Sequence, residues 1–200
     1  MSYVPPKFYF VFDVESVGLH GHAIAVGWCV LNAETGEISS PGSVRISSSS
    51  VEWTRAFNAA KLSDAQWVRA NVIHNISDIK NVVGSGGEMR RTFWTAWEFW
   101  KAAGALMAAD VAWPVEARFL MQCTLYSGEL QDGPYPLIDI ASVRLAAGLD
   151  PLATEERDHT AGETPAHNPL ADARQSARLL REGLLASPWR ELPNAGGQTP

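Results

Sequence analysis

Apolar residues open the chain at strand spacing and close it at helix spacing. KFYFVFDV (7–14) is aromatic and β-branched without a helical period, which predicts a buried strand. HAIAVGWCVL (22–31) predicts a second strand, NAETGE (32–37) a turn, and SVRIS (43–47) a third strand, so the chain begins as a β-meander. The pattern weakens over 48–92. SSSSVEWT reads as a loop, SDAQWVRAN from Ser63 as a capped helix, and NVVGSGGE (81–88) as a flexible break. MRRTFWTAWEFWKAAGA (89–105) predicts a strong helix, with Phe93, Trp97 and Trp100 at i, i+4 and i+7. Core packing accounts for that aromatic stripe.

Strand and helix then alternate. ALMAAD (105–110) predicts a short strand, PVEARFLMQC (114–123) a helix opening on proline, YPLIDI (135–140) a strand, and ASVRLAAGL (141–149) a helix ended by Gly148. A polar, irregular stretch (150–166) leads to NPLADARQSARLLREGLLA (168–186), a long helix with Ala173, Ala177, Leu180 and Leu184 on one face. ELPNAGGQTP reads as a disordered tail. This order predicts an α/β fold: a mixed sheet, three antiparallel strands and then parallel ones, with helices on both faces. One domain is expected over 1–186, followed by a tail over 187–200.

Composition narrows the classes. Hydrophobic residues make up 46% of 200, enough for a core without disulfides. The two cysteines, Cys29 and Cys123, stand in apolar surroundings, which suits a reduced, cytoplasmic protein. The start MSYVPPKF has no signal-peptide pattern, and no apolar run is long enough to cross a bilayer. A net charge of −6 argues against broad duplex binding but leaves room for a small nucleic-acid site lined by metal ions. Most of the eight tryptophans belong to the core, and one or two near a cleft would stack on bases.

Candidate chemistry sits first in FVFDVESVGLHG. On a strand, residues i and i+2 share a face, so Asp13 and Glu15 project side by side. Two such charges repel, and a divalent cation between them resolves the conflict, with oxygen ligands suiting Mg²⁺ or Mn²⁺. The ordinary alternative is a strand running out into solvent. A second piece is HNPLADA (167–173), with His167 before the last helix and Asp172 in its first turns. Taken singly, these read as a loop residue and as an acid favoured by the helix dipole. His20 and His22 form a His-x-His pair without a third ligand nearby.

Together the two pieces resemble the DEDD-type 3′–5′ exonucleases, in the branch that uses histidine, with its ribonuclease H-like fold. The first family motif, D-x-E-[ST]-x-G, is matched by Asp13, Glu15, Ser16 and Gly18. The last, H-x-A-x-x-D-A, is matched by His167, Asp172 and Ala173, with Pro169 where alanine is common. YPLIDIASVRLA resembles the strand-aspartate-helix segment that precedes the last motif. The likeness runs through nearly the whole chain and is weakest over 41–92. In the middle motif, counting back from Phe119-Leu120 in ALMAADVAWPVEARFL points to Glu116, whereas residue type points to Asp110. Asp110 is slightly favoured there, and Glu116 stays open.

The resemblance implies a metal-dependent 3′–5′ exonuclease acting on the 3′ end of single-stranded RNA or DNA. It implies two ions, Mg²⁺ or Mn²⁺, about 3.5–4 Å apart. Asp13, Glu15 and Asp172 would hold one ion, and Asp13 with Asp110 or Glu116 the other. His167 would be the general base, on a mobile loop, because imidazole exchanges protons near neutral pH. Ser16, Val17, Gly18 and Leu19 would cover the terminal sugar and base. Related enzymes are often dimers, so a homodimer is allowed. Two other readings stay open: a catalytically weak member that binds nucleic acid without cutting it, and a non-enzymatic structural domain.

Overall fold

The computed structural model describes residues 6–127, 133–152 and 157–187. Three antiparallel strands, β1 (Phe8–Ser16), β2 (Ala23–Asn32) and β3 (Ile38–Ile46), come first. Helices α1 (Val51–Ala59), α2 (Leu62–Asn71) and α3 (Ile73–Ile76) lead to β4 (Val82–Val83) and α4 (Gly86–Ala102). The alternating part follows: β5 (Leu106–Ala109), α5 (Val115–Ser127), β6 (Leu137–Asp139), α6 (Ile140–Ala146) and α7 (Pro169–Ala186). The six strands make one sheet in the order β4-β3-β2-β1-β5-β6, with β5 parallel to β1 and β6 parallel to β5. This is the mixed α/β sheet expected from the sequence.

Strand alternation divides β1 between two cores. Phe10, Phe12 and Val14 face α1, α2, α4 and α5, where Phe10 meets the rings of Phe93 at 5.6 Å and Trp97 at 5.7 Å. Tyr9 and Val11 face the other side, against Ala173, Ala177 and Leu180 of α7 and Ile140 of α6. Phe93 and Trp97 of the aromatic stripe are therefore core residues, and Trp100 packs on Phe8 at the margin. Asp13 and Glu15 share the parity of Tyr9 and Val11, which places them on the α7 side.

Several local expectations change. The stretch read as a loop at SSSSVEWT is the start of α1: Ser50 accepts from the Trp53 N–H at 3.0 Å, and Ala56 and Phe57 are buried. A serine run hides a helix there because its last member is the cap. The break at 81–88 contains β4, which pairs with Arg45 and Ile46, and Ser85 caps α4, so that helix begins at Gly86 rather than Met89. β3 starts earlier than expected, at Ile38. Pro114 precedes α5, and the helix runs on to Ser127. The proposed tail falls beyond the described residues from 188 onward. No helix among the described residues is long and apolar enough to cross a membrane.

Gly27 lets the last helix approach the sheet. It stands opposite Asp13 in the β1–β2 ladder. A Cβ built on it would lie 2.3 Å from the Leu170 nitrogen and 2.4 Å from the Pro169 carbonyl carbon, both backbone atoms at the start of α7. Backbone at a capped helix start cannot move aside cheaply. Gly27→Ala is therefore expected to cost about 1–3 kcal/mol by overpacking. Urea denaturation measures it, and an unchanged midpoint would show that α7 shifts freely.

Candidate active site

Strand β1 carries its acids into the space below the start of α7. The β1–β2 register shifts after Glu15, a bulge that ends regular pairing beside the acids. Asp13 sits among four other carboxylates. Burial raises its pKa well above the usual range, and Asp172, Glu15, Glu116 and Asp110 add to the rise in that order. Glu15 is pushed up to about 8, chiefly by burial and then by Asp172 and Glu116, with Arg157 opposing.

The two middle candidates differ in their neighbours. Glu116, in the first turn of α5, is buried and rises to about 7; burial is the main cause, opposed by its own backbone N–H and that of Val14, with a further rise from Asp110. Asp110 follows the end of β5. Burial raises it first and Asp139 next, while Arg144 opposes. Asp139 is structural: it caps α6 by accepting from the Ser142 N–H at 3.0 Å and also accepts from the Ala112 N–H at 3.1 Å. Glu116 thus acts on both Asp13 and Glu15, whereas Asp110 acts on Asp13 and lies toward Asp139.

The loop before α7 delivers His167 and Asp172. Asn168 caps the helix, accepting from Leu170 at 3.2 Å and Ala171 at 3.3 Å, and its amide donates to the Asn75 carbonyl at 2.8 Å. Asn75 in turn donates to the Ala166 carbonyl at 2.7 Å, fixing the loop to α3. His167 adopts a left-handed backbone with φ 59°. Its Nδ1 is 3.9 Å from Glu15 Oε1, and its ring meets the Trp67 ring edge-on at 5.1 Å. Ligand atoms of Glu15, His167 and Asp172 all lie within 4.8 Å of one another. Burial raises the pKa of Asp172, while Arg157, His167 and the His167 backbone N–H hold it back.

The loop expected to be mobile is strongly bonded where it is described, from 157 to 167. Glu163 is buried and takes both Nε and Nη2 of Arg178, at 2.8 and 3.0 Å. It also accepts from the Asp158 N–H at 2.9 Å. Arg178 continues to Glu182 at 2.9 Å, and Glu182 to the buried Arg144 at 3.0 Å. Charges thus alternate from the histidine loop across α7 to α6. Such a run satisfies each buried charge on both sides, without which burial would be costly.

A pocket of about 750 Å³ opens beside the acids, lined by Glu15, the backbone turn at Ser16–Gly21, Trp67 and His167. Of the four residues expected to touch substrate, Val17 is turned into the core, while Leu19 is 66% exposed. Gly18 has φ 84°, and a Cβ there would lie 2.5 Å from Asp64 Oδ2, so the turn needs glycine for both its angle and its neighbour. The Ser16 hydroxyl donates to the Gly18 carbonyl at 2.9 Å. Trp67, 50% exposed, forms the facing wall and is one of the tryptophans near a cleft.

The donor set fits a hard divalent cation. It is rich in carboxylate oxygen, crowded enough to raise several of its own pKa values, and brings ligand atoms of Glu15, His167 and Asp172, its buried Oδ1 among the candidates, close together. Sequence reasoning missed Arg157, whose Nη1 lies 2.5 Å from that oxygen, and Glu163; both stand in an irregular polar segment with no period to mark them.

No family model and no curated protein matches the chain. Among solved structures, the chain is similar to the nuclease domain of 3′hExo, a DEDDh family member, bound to rAMP. Identity is 13% over 90% of this chain and 92% of that one, with a TM-score of 0.45. It is similar to a 3′-exonuclease in a structure of 3′-end specific recognition of histone mRNA stem-loop, at 11% identity over 92% and 84% (TM-score 0.47). It is also similar to a full-length 3′-exonuclease, at 11% identity over 92% and 62% (TM-score 0.46).

Proposed function

We propose that the chain is a divalent-metal-dependent 3′–5′ exonuclease acting on single-stranded nucleic acid. The observation that supports this best is the gathering of Asp13, Glu15, Asp172 and Glu116 beside a pocket bounded by Trp67 and His167. Asp13, Glu15 and Asp172 would hold one Mg²⁺ or Mn²⁺; Asp13 with Glu116 would hold a second, and Asp110 is the alternative to Glu116. Bound there, divalent cations supply positive charge against the phosphate and make nearby water more acidic.

The chain's own groups do the rest. The backbone of Ser16–Gly18 approaches the terminal sugar closely, because the glycine adds no bulk. Leu19 and Trp67 hold the base between an aliphatic and an aromatic surface, and such stacking tolerates any base. His167 Nδ1 or Nε2 takes the proton from the attacking water. Its ring stands against Trp67 and beside Glu15, on a loop fixed by Glu163.

The test is degradation of matched RNA and DNA oligomers, single- and double-stranded, labelled at the 5′ end. With Mg²⁺ or Mn²⁺, single strands should shorten stepwise from the 3′ end and release mononucleotides, and EDTA should stop this. Internal cuts, or no cutting with either metal, would overturn the assignment. The Arg157–Asp172 ion pair favours one rival, a member that binds nucleic acid and cuts weakly. Retention of the oligomer on the protein without shortening would be its signature.

A further inference from the structure

The carboxylate cluster already contains a cation. Arg157 Nη1 lies 2.5 Å from Asp172 Oδ1, and the same nitrogen donates to the Glu163 carbonyl at 2.9 Å. The pair is largely enclosed, with 25% and 13% of the two side chains exposed. Arginine stays charged under all ordinary conditions and is less strongly hydrated than an ammonium, so it persists in such a place. Its backbone is anchored as well: the next residue, Asp158, is bound to buried Glu163 and caps the turn that follows at Thr160 and Ala161.

We infer that Arg157 takes the place of one divalent cation on Asp172, so that the chain binds one ion readily and a second only when the guanidinium is displaced. The inference rests on the metal-dependent reading above. A guanidinium 2.5 Å from Asp172 Oδ1 occupies that oxygen and repels a divalent ion brought to the same carboxylate. A guanidinium neutralises Asp172 but offers no open coordination position and does not acidify water. Arg157 therefore offsets part of the cluster's negative charge without supplying the chemistry a divalent ion would bring. Substrate phosphate is the natural group to draw it off, because a guanidinium pairs with phosphate as well as with carboxylate.

Mn²⁺ binding without substrate tests this, followed by titration calorimetry and by the Mn²⁺ electron paramagnetic resonance signal. The wild-type chain should bind one ion, with a second at least tenfold weaker. Arg157→Gln should tighten that second site at least tenfold and lower the melting temperature in EDTA. Arg157→Lys keeps the charge and should leave the second site weak, which separates charge from packing if the glutamine variant folds poorly. Superimposable isotherms for wild type and both variants would overturn the inference and leave the metal-dependent reading intact. No Mn²⁺ binding to any of the three would overturn both.

Discussion

Asp13→Asn is expected to make the metal-free protein more stable at pH 8 while removing metal binding and activity together. Asp13 lies at the centre of the acids, so its charge is opposed by burial and by Asp172, Glu15, Glu116 and Asp110. A group whose folded pKa is raised favours the fold when protonated, and that contribution fades as pH climbs through the folded value. For Glu15 the fall spans from 4.5 to about 8, and for Glu116 from 4.5 to about 7. The wild-type chain in EDTA should therefore lose a few kcal/mol between pH 5 and pH 8.5, since each pKa unit is worth about 1.4 kcal/mol. Asparagine at position 13 removes one charge from the centre and should restore on the order of 1–3 kcal/mol at the upper end. Mn²⁺ should stabilise wild type at pH 8 and leave the variant unmoved. Thermal melts in EDTA and in Mn²⁺ give both readings. A variant less stable than wild type in EDTA at pH 8.5 would show that the acids do not strain the fold.

His167→Gly is expected to silence turnover with little effect on stability. The left-handed backbone at His167 costs a side-chain-bearing residue roughly 1 kcal/mol that glycine does not incur. That gain offsets the extra freedom glycine has when unfolded, so the melting temperature should barely change. Losing a positioned base should lower kcat by roughly 10²–10⁴-fold. Added imidazole should recover part of the rate, because the vacated space opens onto the pocket beside Trp67. Mn²⁺ affinity should stay close to wild type if His167 is a base rather than a ligand. A turnover near wild type, or a large loss of Mn²⁺ affinity, would remove the histidine from the proton-transfer role.

The sheet was legible because β1, β2 and β5 are apolar runs that pack on both faces and need no other signal. The aromatic stripe of α4 was legible for a similar reason, its period matching its burial. What escaped were elements whose evidence lies in partners far along the chain. α1 declares itself through the Ser50 cap and the burial of Phe57, not through hydrophobic run length. β4 is two residues long and exists because β3 is there to pair with it. At the site, Asp13, Glu15, His167 and Asp172 stood out because motif spacing carries them. Counting back from Phe119-Leu120 points to Glu116 and residue type to Asp110, and both acids act on Asp13. Arg157 and Glu163 had no visible mark, since opposite charges in a polar loop look alike whether solvated or enclosed.

The acids that meet around Asp13 are spread along the polypeptide, from Glu15 through Asp110 and Glu116 to Asp172. A nascent chain that has emerged as far as β5 carries Asp13 and Glu15, but Asp172 and Arg157 are still untranslated. The sheet has room to form early, since β1 to β3 are made first and pair with one another. The carboxylate centre must wait until α7 settles over Gly27. Synthesis thus runs its course before the charged centre closes, and a chain interrupted before α7 is a sheet whose Asp13 lacks Asp172 beside it.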